Sequence, residues 1–155
     1  ISRRVSRLSP SKEKHELERK LEKIGLPPKL QLIGIGAFQN CNTMQAIHIP
    51  DNVRTIQSHA FRGCYSLKSV SGLKGLETLC ASAFYQCVSI MDINLPEGLK
   101  IIGNGAFEDC TNLKTVTIRS GTKTIESYAF NNCKKLSTIT IPFFLKNGVN
   151  LKKNF

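Results

Sequence analysis

The chain has 155 residues, of which 41% are hydrophobic, and its 22 Lys and Arg residues outnumber 11 Asp and Glu to give a net charge of +11. This size favours one domain with a core, and no apolar run approaches the roughly 18 residues that cross a membrane. The excess charge divides almost evenly among residues 1–23, 24–142 and 143–155. Because it forms no basic stripe, nucleic-acid binding is disfavoured.

The first 29 residues differ from the rest in pattern. Residues 1–8 are basic and unpatterned, and no hydrophobic stretch follows them, so the sequence predicts a flexible tail and no signal peptide. Residues 9–29 predict an N-terminal helical cap, with a Ser-Pro start and a Gly-Leu-Pro-Pro end. Leu17, Leu21 and Ile24 fall on one face of this helix. That face is typical of a cap that covers the first repeat, although a docking helix would show the same pattern.

Residues 30–142 contain a repeat of 23 residues. Ala-Phe recurs five times at this spacing, and a cysteine follows each Phe by three positions. The phenylalanines are Phe38, Phe61, Phe84, Phe107 and Phe130, and the cysteines are Cys41, Cys64, Cys87, Cys110 and Cys133. Each turn fits A-F-x-x-C-x-x-L-x-x-I-x-L-P-x-x-[VL]-x-x-I-x-x-x. Five in-phase copies predict a solenoid whose stacked turns share a core.

The pattern within one turn predicts its local structure. The L-x-x-I-x-L segment alternates apolar and polar residues, as in Thr115–Ile118, and predicts a short strand that pairs in parallel with its copies. The A-F-x-x-C segment predicts a 3₁₀ or single helical turn on the opposite face. A second apolar pair, as in Val53-x-x-Ile56, supports a further extended segment. The predicted fold class is therefore an α/β repeat solenoid with short parallel strands on its concave face and an N-terminal helical cap.

The repeat departs from its pattern at two places. In one turn Gly72 and Leu73 occupy the Leu-Pro positions, so the pattern does not predict the strand geometry there. After Pro142 the columns decay. Residues 143–155 are therefore predicted to be a degenerate C-terminal cap or the edge of a longer solenoid.

The spaced cysteines and phenylalanines are predicted to be structural. Metal sites use close pairs such as C-x-x-C, whereas each gap here is 23 residues. Disulfides between neighbouring turns are feasible in distance, but parallel side chains lack the required dihedral angle. A ladder of buried thiols beside a Phe spine is favoured over both, and over a ligand-stacking Phe column. Cys80 lies outside the ladder and is the candidate for a reactive or paired thiol, although an inert one is the simpler interpretation.

Enzymatic function has little support in the sequence. The histidines are His15, His48 and His59, and none lies at a recognisable catalytic spacing from a Cys, Ser or carboxylate. Glycine-rich phosphate loops and the G-x-S-x-G and H-E-x-x-H motifs are absent. We therefore expect a non-enzymatic protein that uses neither a cofactor nor a metal.

The outward strand positions are the candidate partner-binding face. They form two columns of small polar side chains with Arg119 beside them, a flat surface with few of the aromatic residues that dominate binding. The columns are Ala46, Ser69, Asp92, Thr115 and Thr138, and His48, Ser71, Asn94, Thr117 and Thr140. The convex turns, the helix and the open ends of the solenoid are the alternative sites.

The columns resemble the leucine-rich repeat, whose L-x-x-L-x-L core is present as Leu113-x-x-Val116-x-Ile118. The wider pattern, as in Phe107-Glu-Asp-Cys110-Thr-Asn-Leu113, is similar to the BspA-like subfamily of bacterial and protist cell-surface repeats. This resemblance covers residues 30–142. It implies a curved solenoid for adhesion or protein binding, displayed at the cell surface or secreted, with no catalytic residues to carry over.

Three functions follow as hypotheses, in decreasing order of support. The first is a protein-interaction or adhesion module that presents the repeat surface to a protein partner. The second is a self-assembling structural element, a homo-oligomer that associates through the solenoid ends, where strand edges lack neighbours. The third is electrostatic binding to an anionic membrane or nucleic acid, which salt would weaken steeply.

Overall fold

A computed structural model describes residues 25–143 of the chain. The predicted basic tail and residues 9–24 of the predicted helical cap lie outside the described residues, as does the predicted C-terminal cap apart from Phe143. Within this range no helix is long and apolar enough to cross a membrane.

Ten short β-strands lie between Leu32 and Thr140, and they fall into two sets that alternate along the chain. The longer strands are β2 (Ala46–Ile49), β4 (Ser69–Gly72), β6 (Asp92–Asn94), β8 (Thr115–Thr117) and β10 (Thr138–Thr140). The shorter strands are β1 (Leu32–Ile33), β3 (Thr55–Ile56), β5 (Thr78–Leu79), β7 (Ile101–Ile102) and β9 (Thr124–Ile125). We call the two surfaces that they form the long-strand face and the short-strand face.

Every strand pair is parallel and joins residues that are 23 positions apart, as in Ile47 with Val70 and Val116 with Ile139. The prediction of a parallel-strand solenoid with this repeat is therefore confirmed. The short-strand face is one sheet of five strands in the order β1-β3-β5-β7-β9. The long-strand face is split into a pair, β2-β4, and a trio, β6-β8-β10.

The core runs along the solenoid axis between the two faces. Most inward side chains of both strand sets are buried, together with the Ala-Phe dipeptides and most of the cysteines at the back of the turns. Val70, Cys133 and Ile139 are partly buried. Successive Phe rings from Phe38 to Phe130 stack in parallel, with centroids 5.2, 4.9, 5.3 and 5.4 Å apart. Offset parallel rings at this spacing attract one another beyond the apolar area that they bury.

The prediction of a 3₁₀ or helical turn at A-F-x-x-C needs correction, because no helix lies between Gly25 and Pro142. In the first turn Gly36 and Asn40 adopt positive φ angles of 59°, which interrupts the right-handed backbone on both sides of the Ala-Phe pair. The amides of these residues and of Phe38 then donate to carbonyls of the next turn. This part of the solenoid is thus a ladder between turns, and the described chain is a β-solenoid without the predicted α component.

Candidate binding surface

The predicted partner-binding residues lie together on the long-strand face. Period-2 alternation along each strand sends one set of side chains into the core and the other outward. The outward set is Ala46, His48, Ser69, Ser71, Asp92, Asn94, Thr115, Thr117, Thr138 and Thr140, and all are exposed except the half-buried Thr115 and Thr117. Arg119 is exposed two positions beyond the end of β8. The repeat therefore places small hydroxyl, amide and carboxylate groups on the same face in all five turns.

Few of these outward side chains are tied to one another. His48 Nδ1 lies 3.1 Å from Ser71 Oγ across the β2-β4 pair, and Lys68 Nζ lies 3.4 Å from Gln45 Oε1 at the edge of the same pair. The one large apolar side chain beside this region, Met91, is 48% exposed. A partner would meet side chains that are mostly available for new hydrogen bonds.

The break between β4 and β6 is the main irregularity of this surface. Its cause is the Gly72-Leu73 pair, in which both residues have positive φ angles, 83° and 62°. Gly72 occupies the register position of Ile49, and a Cβ placed on it would lie 1.9 Å from the carbonyl oxygen of Ile49. Leu73 fills the core instead, with 2% of its surface exposed. Through these two left-handed residues, Leu73 fills the core position that Gly72 leaves without a side chain, but the backbone no longer lines up with β6.

The cysteine ladder lies behind this surface as a series of hydrogen bonds. Each thiol donates to the Phe carbonyl of the preceding turn, with Sγ–O distances of 3.1 to 3.2 Å from Cys64, Cys87, Cys110 and Cys133. Cys41, Cys64, Cys87 and Cys110 are buried and Cys133 is half-buried. Burial raises the pKa of Cys87 and Cys110 well above the usual thiol range, and raises that of Cys133 to about 12. Such thiols remain protonated and act as small core side chains.

Cys80 lies next to the short-strand face and is half-buried, away from the ladder. Burial, followed by the negative charge of Glu126, raises the pKa of its thiol. A raised pKa lowers the thiolate fraction at neutral pH, which works against the predicted reactive role.

The short-strand face carries a charged column that the sequence reasoning missed. Lys100 Nζ lies 2.5 Å from Glu77 Oε2, and Arg54 Nε lies 3.9 Å from Glu77 Oε1. The hydrogen bond from Lys100 and its charge, with a smaller contribution from Arg54, lower the pKa of the Glu77 carboxyl. The signal was present, because these residues alternate in sign at the repeat period. Exposed ion pairs of this kind contribute little to stability.

The described residues do not assemble a metal centre. Between residues 25 and 143, no three His, Cys, Asp or Glu side chains are placed to hold a metal ion. His48 and Ser71 stand on an open sheet surface, and His59 is half-buried in a turn with a φ of 60°. His15 lies outside the described residues.

These features define a leucine-rich-repeat solenoid. The model of the BspA type leucine rich repeat region matches residues 31–148 as six copies, and the chain belongs to this family. The predicted resemblance is thereby confirmed. Among curated proteins, none matches the chain.

Three solved structures illustrate the likeness. A T. pallidum leucine rich repeat protein is 33% identical over 77% of this chain and 55% of its own, with a TM-score of 0.72. A leucine rich cell surface protein from Faecalibacterium prausnitzii A2-165 is 27% identical over 79% of this chain and 33% of its own, with a TM-score of 0.70. A leucine-rich repeat protein from Bacteroides ovatus ATCC 8483 is 29% identical over 76% of this chain and 36% of its own, with a TM-score of 0.57. The chain thus spans about half or less of the length of these structures.

Proposed function

We propose that the chain is a non-enzymatic protein-interaction module that binds a protein partner on its long-strand face, in an adhesive role at the cell surface or in secreted form. The observation that carries this proposal is the exposed polar surface of β2, β4, β6, β8 and β10, which crosses all five turns. Solenoids of this family present extended surfaces, and the cell-surface relative from F. prausnitzii supports the location.

The test compares charged variants of the two faces. N94E/T115E/T117E places three carboxylates on the long-strand face, and the matched control T78E/I101E/T124E places three on the short-strand face. Both are used with wild type to capture proteins from the surroundings of the source cell, after circular dichroism has shown that all three are folded. We expect a partner that wild type and the control retain and the long-strand variant loses. A partner retained by all three would move the site off this face.

A second function, self-assembly through a solenoid end, is favoured by an asymmetry between the first and last described turns. In the first turn Met44, Ile47 and Ile49 are buried, whereas Leu136 and Ile139, the counterparts of the first two in the turn of β10, are only half-buried. Half-exposed apolar side chains beside an edge strand favour association with another strand. Light scattering at high concentration tests this function, and L136K is expected to reduce any association; a monomer at all concentrations would exclude it.

The electrostatic alternative receives less support from the structure. Arg54 and Lys100 pair with Glu77, and Lys74 Nζ lies 3.9 Å from Asp51 Oδ2, so several cations of the described region are partly neutralised. Electrostatic binding to an anionic membrane or nucleic acid is therefore the least favoured of the three functions.

A further inference from the structure

The split in the long-strand face leaves two parallel strand edges facing each other. Met91 O and Leu95 N, which flank β6, bond to Thr115 N and Thr117 O of β8, so by alternation Asp92 and Asn94 present their backbone groups to the β4 side. Ser69 N donates to Gln45 O, just before β2, so Val70 and Gly72 present their backbone groups to the β6 side. Within residues 25–143, no strand pairing joins β4 to β6.

The separation at this break is too large for direct pairing. Most Cα pairs between β4 and β6 are more than 8 Å apart, whereas most of those between β6 and β8 are within 8 Å. Paired strands lie about 4.8 Å apart, so a strand inserted between two others needs about 9.6 Å. The same two turns remain stacked at the back, where the Phe61 and Phe84 rings are 4.9 Å apart, and on the short-strand face, where β3 pairs with β5. The opening is therefore confined to the long-strand face.

The walls of this slot combine apolar and polar groups. Val70 is half-buried, whereas Ile47, Ile93 and Val116 in the same column are buried, so the slot exposes part of the core. Met91 is exposed beside it. The outward residues on its two sides are Ser69 and Ser71 of β4 and Asp92 and Asn94 of β6. An extended segment placed here would point one aliphatic side chain at Val70 and small polar side chains outward.

We propose that this slot binds an extended peptide segment of the protein partner, which adds a parallel strand between β4 and β6. The inserted backbone would satisfy the open amides and carbonyls on both sides, the same physics by which other domains recognise peptides at a sheet edge. The proposal rests on the proposed function, since it names the form in which the long-strand face receives its partner. The specificity it implies is for a short β-forming sequence with one aliphatic residue facing the core.

The probe is a synthetic peptide with the sequence of residues 112–119, the segment that contains β8 and pairs with a strand of this type. Its control carries N-methyl groups on the amides that correspond to Val116 and Thr117. The variant G72I/L73P restores the Ile-Pro pair of the first turn and is expected to close the slot. N94P removes one open amide and leaves the bonds from β6 to β8 in place, so it serves if the double variant does not fold.

We expect saturable binding of the peptide with slower hydrogen exchange at Val70, Gly72, Asp92 and Asn94. The N-methylated control, G72I/L73P and N94P should each bind at least about tenfold more weakly, a loss of about 1.4 kcal/mol. Absence of saturable binding at millimolar peptide, or equal binding by N94P and wild type, would overturn strand addition. Loss of partner capture by N94E/T115E/T117E would still uphold the proposed function in that case, so the two failures are distinguishable.

Discussion

The back of the solenoid and its long-strand face are built from the same five turns, yet only one of them is continuous. At the back, the Phe rings from Phe38 to Phe130 stack without interruption, and ladder thiols bond from turn to turn. On the long-strand face, pairing stops between β4 and β6. The spine therefore holds neighbouring turns together even where strand pairing is lost.

This difference shows how a repeat separates stability from recognition. The spine depends on side chains that are the same in every turn, and replacing any one of them removes contacts with two neighbours. The strand face depends on backbone pairing, and one Gly-Leu pair is enough to interrupt it. Because strand pairing on this face can be interrupted while the turns remain stacked through the spine, the face can acquire a binding slot without loss of the solenoid.

The strongest test of the spine is Phe107→Ala. This ring is fully buried and stacks on Phe84 at 5.3 Å and on Phe130 at 5.4 Å. Its removal leaves a cavity between three turns, so the free energy of unfolding should fall by about 3–5 kcal/mol. Urea denaturation measures this loss.

The control for this variant is Phe143→Ala, because that side chain is 82% exposed and should change stability by less than about 0.5 kcal/mol. A loss below about 1 kcal/mol in Phe107→Ala, where the expected range is 3–5, would show that the spine does not carry the stack.

The sequence predicted the spine well because its signal is repeated five times. Ala-Phe and Cys at a fixed spacing can be buried together only if the turns stack in register. The 23-residue spacing therefore predicted the repeat, the parallel direction of the strands and the residues of the core columns. The helical turn was predicted wrongly because the pattern does not show backbone handedness. His59 and Tyr128 occupy the same repeat position as Gly36 and adopt a similar positive φ angle. Unlike glycine, neither His nor Tyr is a residue type from which a positive φ angle is predicted.

Alkaline pH should weaken the spine through its thiols. A thiol with a raised pKa in the folded chain keeps its proton after the unfolded chain has lost it, so stability declines as pH rises above the ordinary thiol value of 9.0. For Cys133 the decline extends from there to about pH 12. Between pH 9 and 10.5 this thiol accounts for at most about 2 kcal/mol.

Denaturant midpoints of wild type and Cys133→Ala at pH 8, 9 and 10.5 measure this effect. The variant is expected to start less stable and to lose less stability with pH than wild type. Parallel pH profiles for the two proteins would show that this thiol ionises as easily in the folded chain as in the unfolded one.

The break in the long-strand face has a direct signature in hydrogen exchange. Asn94 and Thr117 are register partners, but only Thr117 lies in the middle strand of its sheet. Unpaired amides exchange through small local fluctuations, whereas ladder amides require opening of the sheet. The Asn94 amide should therefore exchange much faster than that of Thr117, by tenfold for each 1.4 kcal/mol of opening free energy.

The internal control for this measurement is Leu95, whose amide donates to Thr117 O on the closed side of β6 and should be protected. Equal protection of the Asn94 and Leu95 amides would mean that β4 and β6 pair in solution, and that the long-strand face is as continuous as the Phe spine.

The candidate site was only partly predictable, for a physical reason. Alternation placed the outward columns on one face, because a strand period of two leaves no choice once the core residues are known. The slot was not predictable, because Gly72 and Leu73 indicate an irregularity in the repeat but not the direction in which the backbone turns there. That direction depends on Leu73 turning into the core, which requires the three-dimensional fit to the neighbouring turns.

Thr122 is a polar residue at an otherwise apolar repeat position, and its substitution should have the smallest effect on stability of the changes predicted here. It stands where Val53, Leu76 and Leu99 pack, and it is fully buried, with no hydrogen-bond partner for its hydroxyl among the described residues. An unpaired buried hydroxyl costs free energy that a methyl group of similar shape does not, so Thr122→Val should stabilise the chain by about 1 kcal/mol. Thr124→Val, with its exposed hydroxyl, is the matched control and should stay within about 0.5 kcal/mol of wild type. Because Thr122 has a side chain that fills its column, its defect is confined to one hydroxyl, whereas Gly72, which has none, displaces a strand. A loss of stability in Thr122→Val would show that the Thr122 hydroxyl has a hydrogen-bond partner in solution, and that the neighbouring residues accommodate this polar side chain.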